Sequence, residues 1–168
     1  MTAAYLAGVL RRTTAVLEWN DSGSFASLRE VLSKNAVTNG GGKTFNMLGV
    51  YFCEKAGVKE MVQCAGQGME SIIVDFGCYR EEIREEFLRC DRSFLVCSAS
   101  DWQLAPLAKL LTEERDAGGK QEYFASFGTE EALRTAERYL GVRIRRIPWS
   151  PDAFLVNGER MAFFEKIL

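Results

Sequence analysis

The chain has 168 residues, of which 47% are apolar and 26% charged, and its formal net charge at pH 7 is −2. This composition is that of an ordinary globular protein, and the length predicts one domain spanning residues 1–168. The small net charge gives no global reason to bind nucleic acid or an anionic membrane. Because the sequence contains no histidine, it excludes serine–histidine and cysteine–histidine relays and histidine-based metal sites.

The chain begins with an apolar segment, residues 3–10, whose spacing predicts a helix. The segment is too short to span a membrane, and Arg11 and Arg12 follow it, whereas a signal peptide carries its basic residues first. Five cysteines form no C-x-x-C pair, and their odd number favours free thiols in a reducing compartment. We therefore expect a cytoplasmic protein without a membrane span.

Strands and helices are predicted to alternate along the rest of the chain. The strand candidates are residues 14–19, 46–53, 71–76, 93–98, 122–127 and 142–147. The helix candidates are residues 24–34, 58–66, 80–89, 102–115, 129–140 and 159–168. Several strands are continuous apolar runs, which is typical of parallel strands buried on both faces. The sequence therefore predicts a three-layer α/β fold with a mostly parallel sheet and helices on both faces.

A glycine-rich segment, residues 39–44, copies the end of the phosphate-loop motif G-x-x-x-x-G-K-[ST] at Gly42, Lys43 and Thr44. The first glycine of the motif would fall on Val37. A working phosphate loop follows a buried strand and opens a helix, whereas here a helix is predicted before the segment and a strand after it. We interpret the segment as a helix-to-strand connection, with phosphate binding as the alternative.

Acidic residues close two of the predicted strands. The apolar residues Ile72, Ile73 and Val74 are followed by Asp75. This pattern is typical of a buried parallel strand that ends with a carboxylate at the carboxyl edge of a sheet. Glu18 lies near the end of the first predicted strand. The Asp75 carboxyl group is therefore a candidate metal-binding side chain.

Two other charged groups have simpler interpretations. The acids of the predicted helix 80–89 alternate with arginines three and four positions away, which indicates a solvated face. Arg143 and Arg145 fall on one face of the last predicted strand, where an anion or an acidic partner is the alternative to a solvated surface.

The order of these segments resembles that of the MinD/ParA family of deviant Walker ATPases, most clearly over residues 71–111. In that family an apolar strand ends in aspartate, as at Asp75, and a helix, a strand and a polar turn follow. The segment 15–23 is similar to the family's strand that ends in Asp-x-Asp and runs into a glycine-containing loop. Residues 147–152 are similar to an Ile-Pro segment that lies beside the nucleotide base. The resemblance implies a P-loop-nucleotidase-like fold that is incomplete at its N-terminus.

The resemblance also implies roles for individual residues. Asp75 would hold the magnesium ion of a bound nucleotide, and Pro148 and Trp149 would lie beside its base. Glu18 and Asn20 stand where the family carries two aspartates, the first of which orients the attacking water. The family's first strand and its lysine-bearing phosphate loop would precede Met1. We therefore expect Glu18 and Asp75 to be vestigial catalytic residues, and ATP with Mg²⁺ to bind only if an upstream phosphate loop is present.

Members of this family usually work as nucleotide-switched dimers that position other machinery in bacterial cells. The resemblance therefore implies a non-catalytic or regulatory bacterial domain that acts through a protein partner or as a homodimer. One alternative is an N-terminally truncated fragment of an active ATPase whose phosphate loop lies upstream of Met1. Another is a receiver-like or flavodoxin-like α/β module.

Loss of the family's first strand would have a structural consequence. The predicted sheet would lack a central member, and two strand edges would be left with unpaired backbone groups.

Three tryptophans, Trp19, Trp102 and Trp149, follow strand-like segments and predict a contact surface at the carboxyl edge.

Overall fold

The computed structural model describes residues 1–34, 42–98, 105, 107–111 and 121–168. They form two compact units, which we call the first unit (Met1–Tyr79 with Ser150–Leu168) and the second unit (Arg80–Trp149). Both units contain helices and strands, so the chain is an α/β protein. The prediction that residues 1–168 form one domain stays a prediction. No helix within the described ranges is long and apolar enough to cross a membrane.

The described residues of the first unit form four strands and four helices. The strands are β1 (Thr14–Glu18), β2 (Thr44–Met47), β3 (Val50–Cys53) and β4 (Ser71–Asp75). The helices are α1 (Thr2–Ala4, continued by a π-helical turn over Tyr5–Val9), α2 (Ser24–Lys34), α3 (Val58–Gly66) and, near the C-terminus, α7 (Gly158–Phe164). The bounds of α2 and α3 are those that the sequence predicts.

The sheet of the first unit has the strand order β2-β3-β1-β4. Strand β1 is parallel to both β3 and β4, whereas β2 is antiparallel to β3, so this sheet is mixed. The prediction of one strand over residues 46–53 is wrong, because Leu48 and Gly49 form a tight turn between β2 and β3. Both residues have positive φ angles, 52° and 78°, as the central positions of a two-residue hairpin loop require.

Helices cover both faces of this sheet. On one face Val16, Phe45 and Phe52 pack with residues of α1 and α2, such as Phe25. On the other face a second cluster contains Ala15, Leu17, Cys53 and, from α3, Cys64. Because neighbouring residues of a strand point to opposite faces, β1 supplies a central residue to both clusters. The first unit is therefore compatible with the predicted three-layer arrangement.

The second unit contains a short 3₁₀ turn at Glu81–Ile83 and three further helices, α4 (Arg84–Arg89), α5 (residues 107–111) and α6 (Glu130–Leu140). Its strands are β5 (Ser93–Ser98), β6 (Gln121–Phe127) and β7 (Ile144–Arg146). They form a parallel sheet in the order β5-β6-β7. The other residues of the predicted helix 102–115 lie outside the described residues, apart from Ala105, which is helical.

Local signals explain where α6 begins and ends. The Thr129 side chain accepts a hydrogen bond from the Ala132 N–H at 3.1 Å, and Gly141 follows the helix in the left-handed conformation. Leu133, Ala136 and Leu140 then pack with Ala125 and other apolar residues against one face of the sheet. The sequence predicts a helix over residues 129–140, and the structure confirms it with Glu130 as its first residue.

Candidate functional site at the carboxyl ends of β1 and β4

The two candidate carboxyl groups lie on neighbouring strands. Glu18 is the last residue of β1, Asp75 is the last residue of β4, and the two are direct partners in the parallel register. The carboxyl ends of both strands meet at one edge of the sheet, as the sequence predicts for Asp75. The structure thus brings Glu18 and Asp75 together within the first unit.

Glu18 is buried beneath the first turn of α2, with only 1% of its surface exposed. Its Oε1 atom accepts hydrogen bonds from Ser22 Oγ and from the Phe25 N–H, each at 3.0 Å. Its Oε2 atom is also buried and has no hydrogen-bond partner among the described residues. A carboxylate at this position satisfies a free N–H of the helix and complements the positive end of the helix dipole.

Asp75 is exposed and organises the loop that follows β4. Its Oδ1 atom accepts a hydrogen bond from the Gly77 N–H at 2.9 Å. Its main-chain oxygen accepts from the Trp19 N–H and from the Asn20 side-chain amide, each at 2.9 Å. These bonds fasten the loop after β1 to the end of β4.

Gly77 allows the two loops to approach each other closely. It has a φ of +67°, and a Cβ atom at this position would lie 3.0 Å from Asn20 Cβ. A side chain would therefore meet both a disfavoured backbone conformation and a steric contact. Beside this contact the rings of Trp19 and Phe76 pack with their centroids 5.6 Å apart.

The described residues do not fit a magnesium nucleotide by themselves. The Glu18 carboxylate is buried and bonds to Ser22 and to the start of α2. Asp75 would be a single carboxylate ligand, and the described ranges hold no group of three or more acidic or cysteine side chains that could bind a metal. Magnesium sites with so few protein ligands depend on substrate phosphates to complete the coordination.

The end of the glycine-rich segment lies in a structural setting unlike that of a phosphate loop. Thr44 is the first residue of β2, and α2 precedes the segment, so the predicted helix-to-strand context is confirmed. Arg29 donates to the Gly42 oxygen at 2.8 Å, and the Glu54 N–H donates to the Lys43 oxygen at 2.8 Å. Residues 39–41 lie outside the described residues.

The predicted base-binding residues, Pro148 and Trp149, belong to the second unit. The Ile147 N–H donates to the Ala125 oxygen at 2.9 Å and so holds the segment just before Pro148 against β6. The Trp149 side chain is 80% exposed, so it does not pack in the core. Base binding stays a prediction. The predicted tryptophan surface also stays untested, because Trp102 lies outside the described residues.

Sequence analysis missed the structural roles of two polar side chains, Asn20 and Ser22, that hold the site together. Asn20 accepts from the Ser22 N–H at 2.9 Å while it donates to Asp75, and Ser22 donates to Glu18. The run of Asn20, Asp21 and Ser22 before a helix is a capping signal that could have indicated these roles. Nothing in the spacing indicates the partly buried ion pair of Arg29 with Glu54, which joins α2 to the residue after β3.

Comparison with known proteins does not assign the chain to a family. No family model matches the chain, and no curated protein matches it significantly. The resemblance to the MinD/ParA family therefore rests on the order and spacing of the short motifs described above.

Proposed function

We propose that this chain is a non-hydrolytic MinD/ParA-like domain of the bacterial cytoplasm that acts by binding another polypeptide. The observation that carries this proposal is the open edge of β4. Among the described strands β4 pairs only with β1, although its sequence is the apolar run of a strand that is normally paired on both sides. Such an edge is a template for strand addition.

The backbone geometry identifies the groups available for pairing. The Ser71 N–H donates to the Thr13 oxygen, and the Asp75 oxygen accepts from Trp19, so both residues bond toward β1. Since bonding direction alternates along a strand, the N–H and C=O groups of Ile72 and Val74 face away from β1. Both side chains are partly buried, so these polar groups lie at an apolar edge.

The occupant we propose for this edge is β4 of a second copy of the chain. An antiparallel pair centred on Ile73 places Ile72 opposite Val74, and these two residues carry the outward-facing backbone groups. The same register places Ser71 opposite Asp75, so a hydroxyl can donate to a carboxylate at each end of the pair. The strand is therefore complementary to itself, and its pairing would join two four-stranded sheets.

The state of the carboxyl groups supports the non-hydrolytic part of the proposal. Phosphoryl transfer depends on positioned water and on charge neutralisation by a loop, a lysine and magnesium. Glu18, which stands at the family's water-orienting position, is buried and bonded to Ser22 and Phe25. A carboxylate used in this way stabilises the fold instead of orienting a substrate.

Analytical ultracentrifugation tests the proposed pairing. We expect the wild-type chain to form a dimer whose population rises with concentration. Val74→Pro removes one outward-facing N–H without removing a bond to β1, so this variant should sediment as a monomer. Val74→Ala shortens the same side chain but keeps the N–H, and should still dimerise.

Hydrogen exchange provides a second measurement that does not depend on the proline variant folding. In the dimer the amides of Ile72 and Val74 should exchange more slowly than in dilute samples, whereas the Ile73 amide, which faces β1, should change little. A wild-type chain that remains a monomer at high concentration would overturn the pairing. So would a folded Val74→Pro variant that dimerises like the wild type.

Calorimetric titration with magnesium-ATP tests the non-hydrolytic assignment separately. We expect no heat of binding from the 168-residue chain. Micromolar affinity would contradict this expectation. Steady ATP turnover that Asp75→Ala abolishes would refute the assignment entirely.

The same open edge also favours the alternative of a truncated ATPase. In a longer protein a strand from an upstream segment could pair with β4 in parallel, and in the MinD/ParA family such a strand leads into the phosphate loop. The genomic sequence before Met1 distinguishes the two candidates. An upstream open reading frame with a strand and a complete phosphate motif would favour the ATPase.

A further inference from the structure

A group of charged side chains lies near the amino ends of β6 and β7, within the second unit. The two carboxylate oxygens of Glu122 are each bound by an arginine, Oε1 by Arg92 and Oε2 by Arg145. Arg143 precedes Arg145 by two residues and so belongs to the same face of the sheet. Three guanidinium groups thus accompany one carboxylate, and the local charge is positive.

Arg143 differs from the other two arginines in its contacts. It is exposed and makes no hydrogen bond or ion pair within the part of the chain that the structure describes. Its planar group of N–H donors is therefore available to a ligand. Arg145, by contrast, is held in place by Glu122, whose negative charge is balanced by two arginines.

A cavity of about 270 Å³ adjoins this arginine. It is lined by Gln121, Glu122, Tyr123, Val142, Arg143 and Arg145. Tyr123 and Val142 add apolar surface beside the polar groups.

We propose that this cavity binds a small phosphomonoester. Arg143 donates to the phosphate oxygens, and Arg145 adds positive charge from a position fixed by Glu122. The apolar body of the ligand lies against Tyr123 and Val142. A phosphomonoester fits better than a monocarboxylate, because its double negative charge matches the excess of guanidinium groups.

Isothermal titration calorimetry of the full chain with phenyl phosphate tests this proposal. We expect saturable binding, with weaker binding of inorganic phosphate, which lacks the apolar body, and of benzoate, which carries one charge. Arg143→Gln should weaken phenyl phosphate binding by about tenfold, since a hydrogen bond to a charged group is lost.

Arg134→Gln is the matched control. Arg134 is an exposed arginine on α6 that does not line the cavity, so this variant removes the same charge from the same unit. Its affinity for phenyl phosphate should stay close to that of the wild type. The proposal is overturned if phenyl phosphate does not bind saturably, or if Arg134→Gln and Arg143→Gln weaken binding equally. Circular dichroism of each variant checks that it folds.

Discussion

Glu18 and Asp75 are register partners on neighbouring parallel strands, yet Glu18 is buried and Asp75 is exposed. The difference arises because Glu18 ends the central strand and α2 begins directly above it, whereas β4 lies at the edge of its sheet. Equivalent positions in the register therefore have opposite environments. One carboxyl group supports a helix, and the other supports a loop and stays open to solvent.

Glu18→Ala should destabilise the first unit. The substitution leaves Ser22 Oγ and the partly buried Phe25 N–H without this acceptor and removes a buried side chain, and we expect a loss of about 2–3 kcal/mol in the free energy of unfolding. Glu18→Gln keeps a side-chain oxygen for both donors. It replaces the second carboxyl oxygen, which is buried and has no partner among the described residues. Its cost should stay below about 1 kcal/mol. Urea denaturation measures both values.

Asp21→Ala is the control for this pair, because Asp21 is an exposed acid in the same loop. It should change the free energy of unfolding by less than about 0.5 kcal/mol. If Glu18→Ala were as mild as Asp21→Ala, the Glu18 carboxylate would not be the acceptor that stabilises α2.

Gly77→Ala should be more damaging than a typical glycine substitution in a turn. The left-handed backbone alone costs about 1 kcal/mol for alanine, and the 3.0 Å approach to Asn20 adds a steric cost of about 1–2 kcal/mol. Gly23 has the same φ of +67°, but a Cβ atom added there would have no described atom within 4 Å. Gly23→Ala should therefore show only the backbone cost in thermal or urea denaturation.

A double-mutant cycle isolates the Asn20 contact. The second substitution is Asn20→Gly, because it removes the Cβ atom that the new methyl group of Gly77→Ala would meet. Asn20→Ala would lose the same two hydrogen bonds but keep that Cβ atom. The double variant should be more stable than the sum of the single changes predicts, by about 1 kcal/mol. Strict additivity would mean that the loop moves apart to accommodate the methyl group.

Sequence patterns predicted those elements whose signals are local. The bounds of α2, α3 and β5 agree with the structure to the residue. Capping and helical periodicity define α2 and α6, and the apolar run over residues 93–98 defines β5. The placement of Asp75 at the end of an apolar strand followed from the same kind of local pattern.

Tertiary relationships could not be predicted in the same way. The apolar residues on both sides of Leu48 and Gly49 concealed the hairpin, because leucine rarely adopts a positive φ angle. The division of the strands into two sheets depends on pairing between distant segments, which no local pattern encodes. The burial of Glu18 depends in turn on where α2 begins relative to β1.

Glu54→Ala should destabilise the chain through its effect on Arg29. Glu54 is 5% exposed, and its Oε1 lies 2.5 Å from Arg29 Nε, so its removal takes a close negative charge away from a partly buried guanidinium. Because Arg29 keeps some contact with solvent, we expect a loss of about 2 kcal/mol, less than for a fully buried pair. Chemical denaturation of the variant measures this loss.

The exposed pair of Arg89 with Glu85 provides the comparison. The Glu85 side chain is 82% exposed, and the two charged groups lie 3.5 Å apart one helical turn from each other. Glu85→Ala should change the free energy of unfolding by less than about 0.5 kcal/mol. Equal effects of the two substitutions would show that burial does not strengthen the Arg29–Glu54 pair.

Stability should fall at high pH through Cys53. Burial, with Glu60 nearby, raises the pKa of its thiol from 9.0 to about 11. Between these values the unfolded chain has released the proton while the folded chain keeps it, so the free energy of unfolding decreases as pH rises. Cys53→Ala removes this contribution, and the stability difference between wild type and variant should shrink across that window in urea titrations. Val50→Ala is the control, because it is a buried change on the same strand that involves no titratable group. Its stability difference from the wild type should not depend on pH. If the stability difference for Cys53→Ala were also constant, it would contradict the prediction.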